Sequence, residues 1–395
     1  MNREIPKGLL TRLQSGYALP ALSPVALELV ELASDDTSSA KDLAALIEKD
    51  PSLAVRLLKL ANSAFFWISN PITSIQQAVV KIGLERLRIM ALSISLTDTL
   101  PFGRIGPIDV QEFWRISLYR GLIAKSLADH SKTHHAGEAF IAGFITEIGL
   151  LIFFDHLIRG KDQKASLKLD PLEDLIQWEE DHYGVNHRQI GEAALTYWKF
   201  PEPIILCQKA YKHSPDDPGL HPLARLYEQS RVLSRILAPT SEAFHLPFLE
   251  AEKSFGLDQN VIQDILVFTF EHVQDIANDL NLKMNRERDL VEIVENANRA
   301  LSRISEKLFN AEGISRPEQL PSFSSLDGGK ETTSQTLQAV VHEIRNPLLV
   351  VGGVARKLAD RLDPNSTGGH YIEILLEEAS RLENALSEMV KNRGE

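Results

Sequence analysis

The chain has 395 residues, 44% of them hydrophobic and 24% charged, the composition of a globular protein large enough for two or three domains. Its formal net charge of −12 argues against a general nucleic-acid binder, which needs a basic face. The single cysteine, Cys207, excludes an internal disulfide and a Cys-rich zinc site, and reads as a small core residue. No uninterrupted apolar run approaches the roughly 18 residues of a membrane span. The N-terminus, Met1-Asn2-Arg3-Glu4-Ile5-Pro6, lacks the apolar core of a signal peptide, so the expected location is cytoplasmic.

Residues 1–18 form a lead. From Pro24 to about Leu96 the pattern is one short helix after another. Pro24 suits a first helical turn, followed by Val25, Leu29 and Leu32. Ser38-Ser39 can cap the next helix, with Leu43, Ala44 and Ile47 inward. Asp50-Pro51 then joins a good N-cap to a residue that fits the first helical position. Asn62-Ser63-Ala64-Phe65-Phe66 ends that helix, and Ile72-Thr73-Ser74-Ile75 starts another. Phe113-Trp114 opens a later helix, and Phe140 to Phe154 reads as one strongly apolar helix with Gly143–Leu150 in its middle. His134-His135 sits in a polar connector. Residues 211–222, with Tyr211, His213, His221 and several prolines, form a loop. Strand signals are nearly absent.

The order and spacing of Asp50-Pro51, Leu60-Ala61-Asn62-Ser63-Ala64-Phe65, Ile72 to Ala78, Ile82-Gly83 and Gly143 to Leu151 resemble an HDOD domain, a non-catalytic relative of HD-type metal phosphohydrolases. An HD site holds its metal with histidines and aspartates around a central His-Asp pair, and the metal activates the attacking water. By the resemblance that pair falls on Thr146-Glu147, and an earlier ligand histidine falls on Ile116. Isoleucine cannot ligate and threonine ligates poorly, so no metal is expected. Glu147 remains, and His187 and His213 match later family histidines; hydrogen bonding within a helical fold is the favoured account of such leftovers.

Further helices are expected at Pro247–Phe255 and Val261–Leu282, so the HDOD domain with its appended helices is placed at 19–285. At 286–311, Leu290, Val294, Ala297, Leu301, Ile304 and Leu308 alternate steps of four and three among charged residues. That is the pattern of a short coiled coil, or of an amphipathic helix packed on its own domain. Residues 312–335, with Pro317, Pro321 and Gly328-Gly329, read as a flexible linker.

The last segment, 336–395, carries His342-Glu343-Ile344-Arg345-Asn346-Pro347 inside a second heptad seam, Leu337, Val341, Ile344, Leu348, Val351, Ala355, Leu358 and Leu362. His342 lies beside the seam but off it. A turn at 363–369 leads to a second amphipathic run, Ile372, Leu375, Ala379, Leu382, Leu386 and Met389. One such hairpin leaves its stripes unburied, and two copies make a four-helix bundle. A zinc reading fails because the second histidine of a His-Glu-x-x-His motif would stand at 346, which is Asn. Motif, turn and second helix together resemble the dimerisation and phosphoacceptor domain of sensor histidine kinases. The resemblance implies that His342 is phosphorylated, that Glu343 orients its ring and accepts a proton, and that Asn346 positions water in phosphatase chemistry. Pro347 removes a helical hydrogen bond and should bend the helix beside the reactive ring.

The expected fold class is therefore all-α: a multi-helix HD-like domain, a short coiled coil, and a two-helix hairpin that dimerises into a four-helix bundle. No ATP-binding pattern is recognised after the hairpin, and Gly352-Gly353 lies within the phosphoacceptor helix rather than in a phosphate loop. No cofactor is assigned to these residues. ATP and Mg belong to a kinase domain that lies either further along a longer chain or on a separate protein. The expected partners are a second copy of the chain, that ATP-binding domain and a response-regulator receiver domain, with no nucleic acid and no membrane span. Two rival readings remain: a residual HD-type phosphohydrolase using Glu147, His187 and His213, and a dimeric scaffold without catalysis.

Overall fold

The computed structural model describes residues 19–20, 22–32, 39–63, 71–99, 103–132, 136–159, 172–213, 217–235, 256–282, and the helical positions Leu376 and Ser380. The coiled-coil segment, the linker, His134-His135, the Pro247–Phe255 helix and the motif around His342 lie outside the described residues. The chain clusters into two units, one made of 1–231 with 271–284 and one of 232–270 with 285–395. The charged cluster described below lies in the first unit.

The described residues are helical, with a single two-stranded antiparallel ribbon in which Ile105 faces Ile108. Helix α1, Pro24–Leu32, begins where Ser23 Oγ accepts the Ala26 N–H. Helix α2, Ala40–Ile47, is opened by a reciprocal capping box between Ser39 and Asp42. Helix α3, Pro51–Asn62, starts as expected on Asp50, whose carboxylate accepts the Leu53 N–H at 3.0 Å. At its end Asn62 clamps the chain where it returns: its side-chain amide exchanges two 2.7 Å hydrogen bonds with the backbone of Ile72. Helix α4, Ile75–Ile82, is capped by Ser74 and stops at Gly83, whose φ of 97° suits glycine.

Helix α5, Leu84–Thr97, is buried nearly all round from Leu87 onward. Its Arg88 is buried too, and donates to Glu85, to the carbonyl of Leu29 on α1 and to the carbonyl of Lys199. Helix α6, Val110–His130, starts three residues before Phe113-Trp114 because Asp109 caps Gln111 and Glu112.

The continuous helix expected over Phe140–Phe154 is instead two helices, α7 (Ala136–Ile145) and α8 (Ile148–Arg159), parted by a turn at Thr146-Glu147. The physical reason lies in side chains that pull this turn inward. Thr146 Oγ1 donates back to the Ala142 carbonyl at 2.6 Å, and Gln208 Nε2 donates to the Thr146 carbonyl at 2.6 Å. By length and composition alone, Ala136–His156 is apolar enough to cross a membrane, although Glu138 and Glu147 interrupt its apolar run. Most of it is core: the buried residues run from Ala139 to Phe154.

Helices α9 (Leu172–Tyr183) and α10 (His187–Tyr197) follow, the latter opened by an Asn186–Gln189 capping box. Helix α11, Glu202–Leu206, runs into a 3₁₀ turn at Cys207–Lys212, and α12 (Pro222–Ser234) and α13 (Gln259–Asp279) come last. Cys207 is buried, as expected, and its thiol donates to the Pro203 carbonyl.

Two glycine contacts set the helix crossings around the turn. A β-carbon on Gly143 would stand 2.6 Å from the Arg120 carbonyl, so α7 lies directly on α6. A β-carbon on Gly149 would meet the His187 carbonyl at 2.0 Å, so α8 touches the start of α10 backbone to backbone. Gly149→Ala is therefore expected to destabilise the fold by about 3 kcal/mol or more, read as a fall in the thermal midpoint. Gly137→Ala, with nothing within 4 Å of the new methyl, should be neutral or slightly stabilising. Equal midpoints for the two variants would mean that α8 and α10 do not approach this closely.

Candidate functional site

The turn at Thr146-Glu147 delivers a carboxylate into the protein interior. Glu147 is 7% exposed, and the groups around it arrive from separate elements. Tyr227, on α12, donates its hydroxyl to Glu147 Oε1. His187 Nε2, at the first position of α10, lies 3.3 Å from Glu147 Oε2. Arg188 Nε lies 3.7 Å from Glu147 Oε1, and the same guanidinium sits 4.8 Å above the Tyr227 ring.

The partners are themselves held. Arg188 Nη2 donates to Glu228 Oε1 at 2.9 Å, and Arg188 Nη1 to the Cys207 carbonyl at 3.3 Å. The other oxygen of Glu228 accepts from Arg231 Nε at 2.6 Å. Glu179, fully buried on α9, accepts from both the backbone N–H and Nδ1 of His187, at 2.9 and 2.7 Å. Three carboxylates thus face two guanidiniums and one imidazole.

This geometry fixes protonation states. Both ring nitrogens of His187 face carboxylates, and a neutral imidazole has only one N–H to give. Burial pushes the His187 pKa down, but hydrogen bonds and attraction from Glu147 and Glu179 outweigh it and hold the ring above its ordinary value. Burial likewise pushes Glu147 up, yet Arg188 and His187 hold its carboxyl well below the usual carboxylate range. Burial drives Tyr227 well above the ordinary phenol value, so it stays a donor.

The positions singled out from sequence are distributed unevenly. Glu147 and His187 come together. Thr146 is buried beside them with its hydroxyl committed to Ala142. Ile116 is half-buried on α6 and offers no ligand atom. His213 is outside the cluster: its ring is 40% exposed and Nδ1 pairs with Asp217 at 2.7 Å. Glu179, Arg188, Gln208, Tyr227, Glu228 and Arg231 were not singled out from sequence. Their one legible signal is charge or hydroxyl placed on an otherwise apolar helical stripe, as with Tyr227 four residues after the buried Leu223.

A metal ion of the HD type does not fit these residues. One ligand position is isoleucine, one hydroxyl is spent on a backbone carbonyl, and both oxygens of Glu147 face donors of the chain itself. Among the described residues no group of three or more His, Cys, Asp or Glu side chains is arranged to hold a metal.

The fold and cluster define a helical HD-like domain whose centre is an ion-pair network. Residues 19–215 match the HDOD domain and residues 332–391 match the His Kinase A (phospho-acceptor) domain, so the chain carries both. Over 206 residues it is 26% identical to an uncharacterized protein of Treponema pallidum (strain Nichols), covering 51% of this chain and 39% of the relative. Over 172 residues it is 27% identical to the uncharacterized protein YuxH of Bacillus subtilis (strain 168), covering 44% of this chain and 41% of YuxH. The chain thus spans about two fifths of the length of these curated relatives. In fold it resembles a crystal structure from Shewanella amazonensis SB2B, provisionally described as a phosphohydrolase, at 20% identity and a TM-score of 0.50. That likeness covers 69% of this chain and 98% of the other.

The charge assignment of His187 has a measurable sign. Its native pKa is raised, so its contribution to stability is full below the unfolded value of about 6.5 and is lost as pH rises through the native pKa. The midpoint difference between the unaltered chain and His187→Gln should therefore be largest near pH 6 and shrink toward alkaline pH. A gap that widens with rising pH would show that the ring is neutral in the fold.

Proposed function

We propose that this is a cytoplasmic two-component protein in which the HDOD region senses or docks a partner and controls phosphorylation of His342. The HDOD and His Kinase A matches support a signalling protein, and a His Kinase A domain implies in general terms dimerisation and a response-regulator partner. The observation that carries the reading is the co-occurrence of the two domains in one chain, with His342-Glu343-Ile344-Arg345-Asn346-Pro347 inside the second match.

The chemistry follows from the residue types. A neutral imidazole nitrogen of His342 attacks the γ-phosphorus of ATP held by a kinase domain with Mg, the bond to ADP breaks, and a phosphoramidate forms. Glu343 orients the ring and takes its proton. The phosphoryl group then passes to a receiver aspartate, and Asn346 positions water when that phosphoaspartate is hydrolysed. The ATP-binding domain acts in cis on a longer polypeptide or in trans. Catalysis in such transfer rests on positioning and charge more than on covalent help.

The residual-phosphohydrolase reading is the weaker one, because the cluster at Glu147 offers no metal-ligand set. The scaffold reading differs in its dependence on the phosphoacceptor: a pure scaffold keeps its output when His342 is replaced.

With a cognate ATP-binding domain, ATP and Mg, the chain should acquire acid-labile, base-stable label, and His342→Gln should abolish it. Glu343→Ala should slow labelling by about 10²-fold without changing the assembly state. Undiminished label on His342→Gln would refute the assignment. The paired seams also predict a homodimer through residues 336–395, measured as twice the chain mass by light scattering at tens of micromolar. A monomer at that concentration would contradict the bundle.

A further inference from the structure

Arg188 is fully buried, and its guanidinium lies between two carboxylates: Glu228 Oε1 at 2.9 Å from Nη2 and Glu147 Oε1 at 3.7 Å from Nε. Its third contact is the Cys207 carbonyl, and its face covers Tyr227. Two buried carboxylates this close to one another repel strongly unless a cation stands between them. In a hydrolytic metal site that cation is a divalent ion held by such oxygens. Here the chain supplies it from residue 188.

We infer that Arg188 is the resident cation of this site: its guanidinium holds the place between Glu147 and Glu228 that a divalent metal ion would take, closing the intact chain to metal. Three features support this beyond the distances. The guanidinium reaches its place from the residue directly after His187, so the turn that orients the imidazole also orients the arginine. Its planar fork donates to Glu228 and to the Cys207 carbonyl while the Nε edge lies within ion-pair distance of Glu147, a task that lysine's point charge does not match. Arg231 covers the outer oxygen of Glu228, so removal of Arg188 alone strands Glu147 and one face of Glu228 rather than dissolving the whole network.

The consequence is a site that changes its ligand when one side chain is removed. Arg188→Ala leaves Glu147 and Glu228 without the cation between them, hard carboxylate oxygens of the kind that take Mn²⁺ or Mg²⁺. His187 borders the same carboxylate and tolerates the change, because its second acid, Glu179, lies on the far side of the ring.

The test uses the full chain, prepared and refolded in EDTA or in 1 mM Mn²⁺ (on the order of a free-ion concentration that fills carboxylate sites). The unaltered chain should show the same thermal midpoint in both and retain no manganese after desalting. Arg188→Ala should fall by about 10 °C in EDTA, recover a substantial part of that loss with Mn²⁺, and retain about one manganese per chain. Glu147→Gln placed on top of Arg188→Ala should abolish both the recovery and the retained ion. If Arg188→Ala does not fold in EDTA, soluble yield with and without Mn²⁺ gives the same reading, and Arg188→Gln, closer in volume, provides a second variant. Stoichiometric manganese on the unaltered chain that disappears in Glu147→Gln would overturn the inference. So would Arg188 variants whose stability and yield ignore the ion.

Discussion

A carboxylate at the centre of a helical domain sets the terms for everything around it. Glu147 is buried, and an ionised group in that position is tolerated only when opposite charge and hydrogen-bond donors surround it. Its donors come from α10 and α12, while α9 and the 3₁₀ turn hold those donors in place. The constraint propagates outward. For His187 to stand beside Glu147, α8 must meet the start of α10 closely enough that only glycine fits at position 149. For the turn itself to exist, an apolar helix has to break, and Thr146 and Gln208 supply the hydrogen bonds that stabilise the break.

The same principle recurs at the other end of the domain in a smaller form. Arg88 is buried with its charge answered by Glu85 and by carbonyls of Leu29 and Lys199, so one side chain ties α5 to α1 and to the turn after α10. Asn62 does for a backbone strand what Arg88 does for helix ends, answering both polar groups of Ile72. These ties specify one arrangement of many short helices whose apolar faces alone would admit several.

A domain built this way is suited to holding a shape rather than to activating water. The interior around Glu147 is filled with side chains of opposite charge, some hydrogen-bonded and some, such as Arg188 Nε, only within ion-pair distance. Beside it the chain carries a match to the His Kinase A (phospho-acceptor) domain. A histidine that takes and gives a phosphoryl group needs little from a protein beyond placement, an oriented ring and access for partner domains in turn.

Sequence by itself determined the helical class, the caps at Ser39 and Asp50, and the two domain families, because each of these is written in local chemistry: a capping side chain, a period of three and four, a motif around His342. It also named Glu147, His187 and His213 through the order of motifs along the chain, of which His213 lies outside the cluster. It did not determine the break at Thr146-Glu147, since hydrophobic periodicity across Phe140–Phe154 is the same for one helix or two and the deciding partner, Gln208, is 62 residues away. Nor did it find Arg188, Glu228 or Tyr227, the last 80 residues from the carboxylate it serves. Those roles depend on which buried charges meet across helices. Coulomb attraction in a low-dielectric interior acts through space and leaves no period in the chain, so only the tertiary structure could decide them.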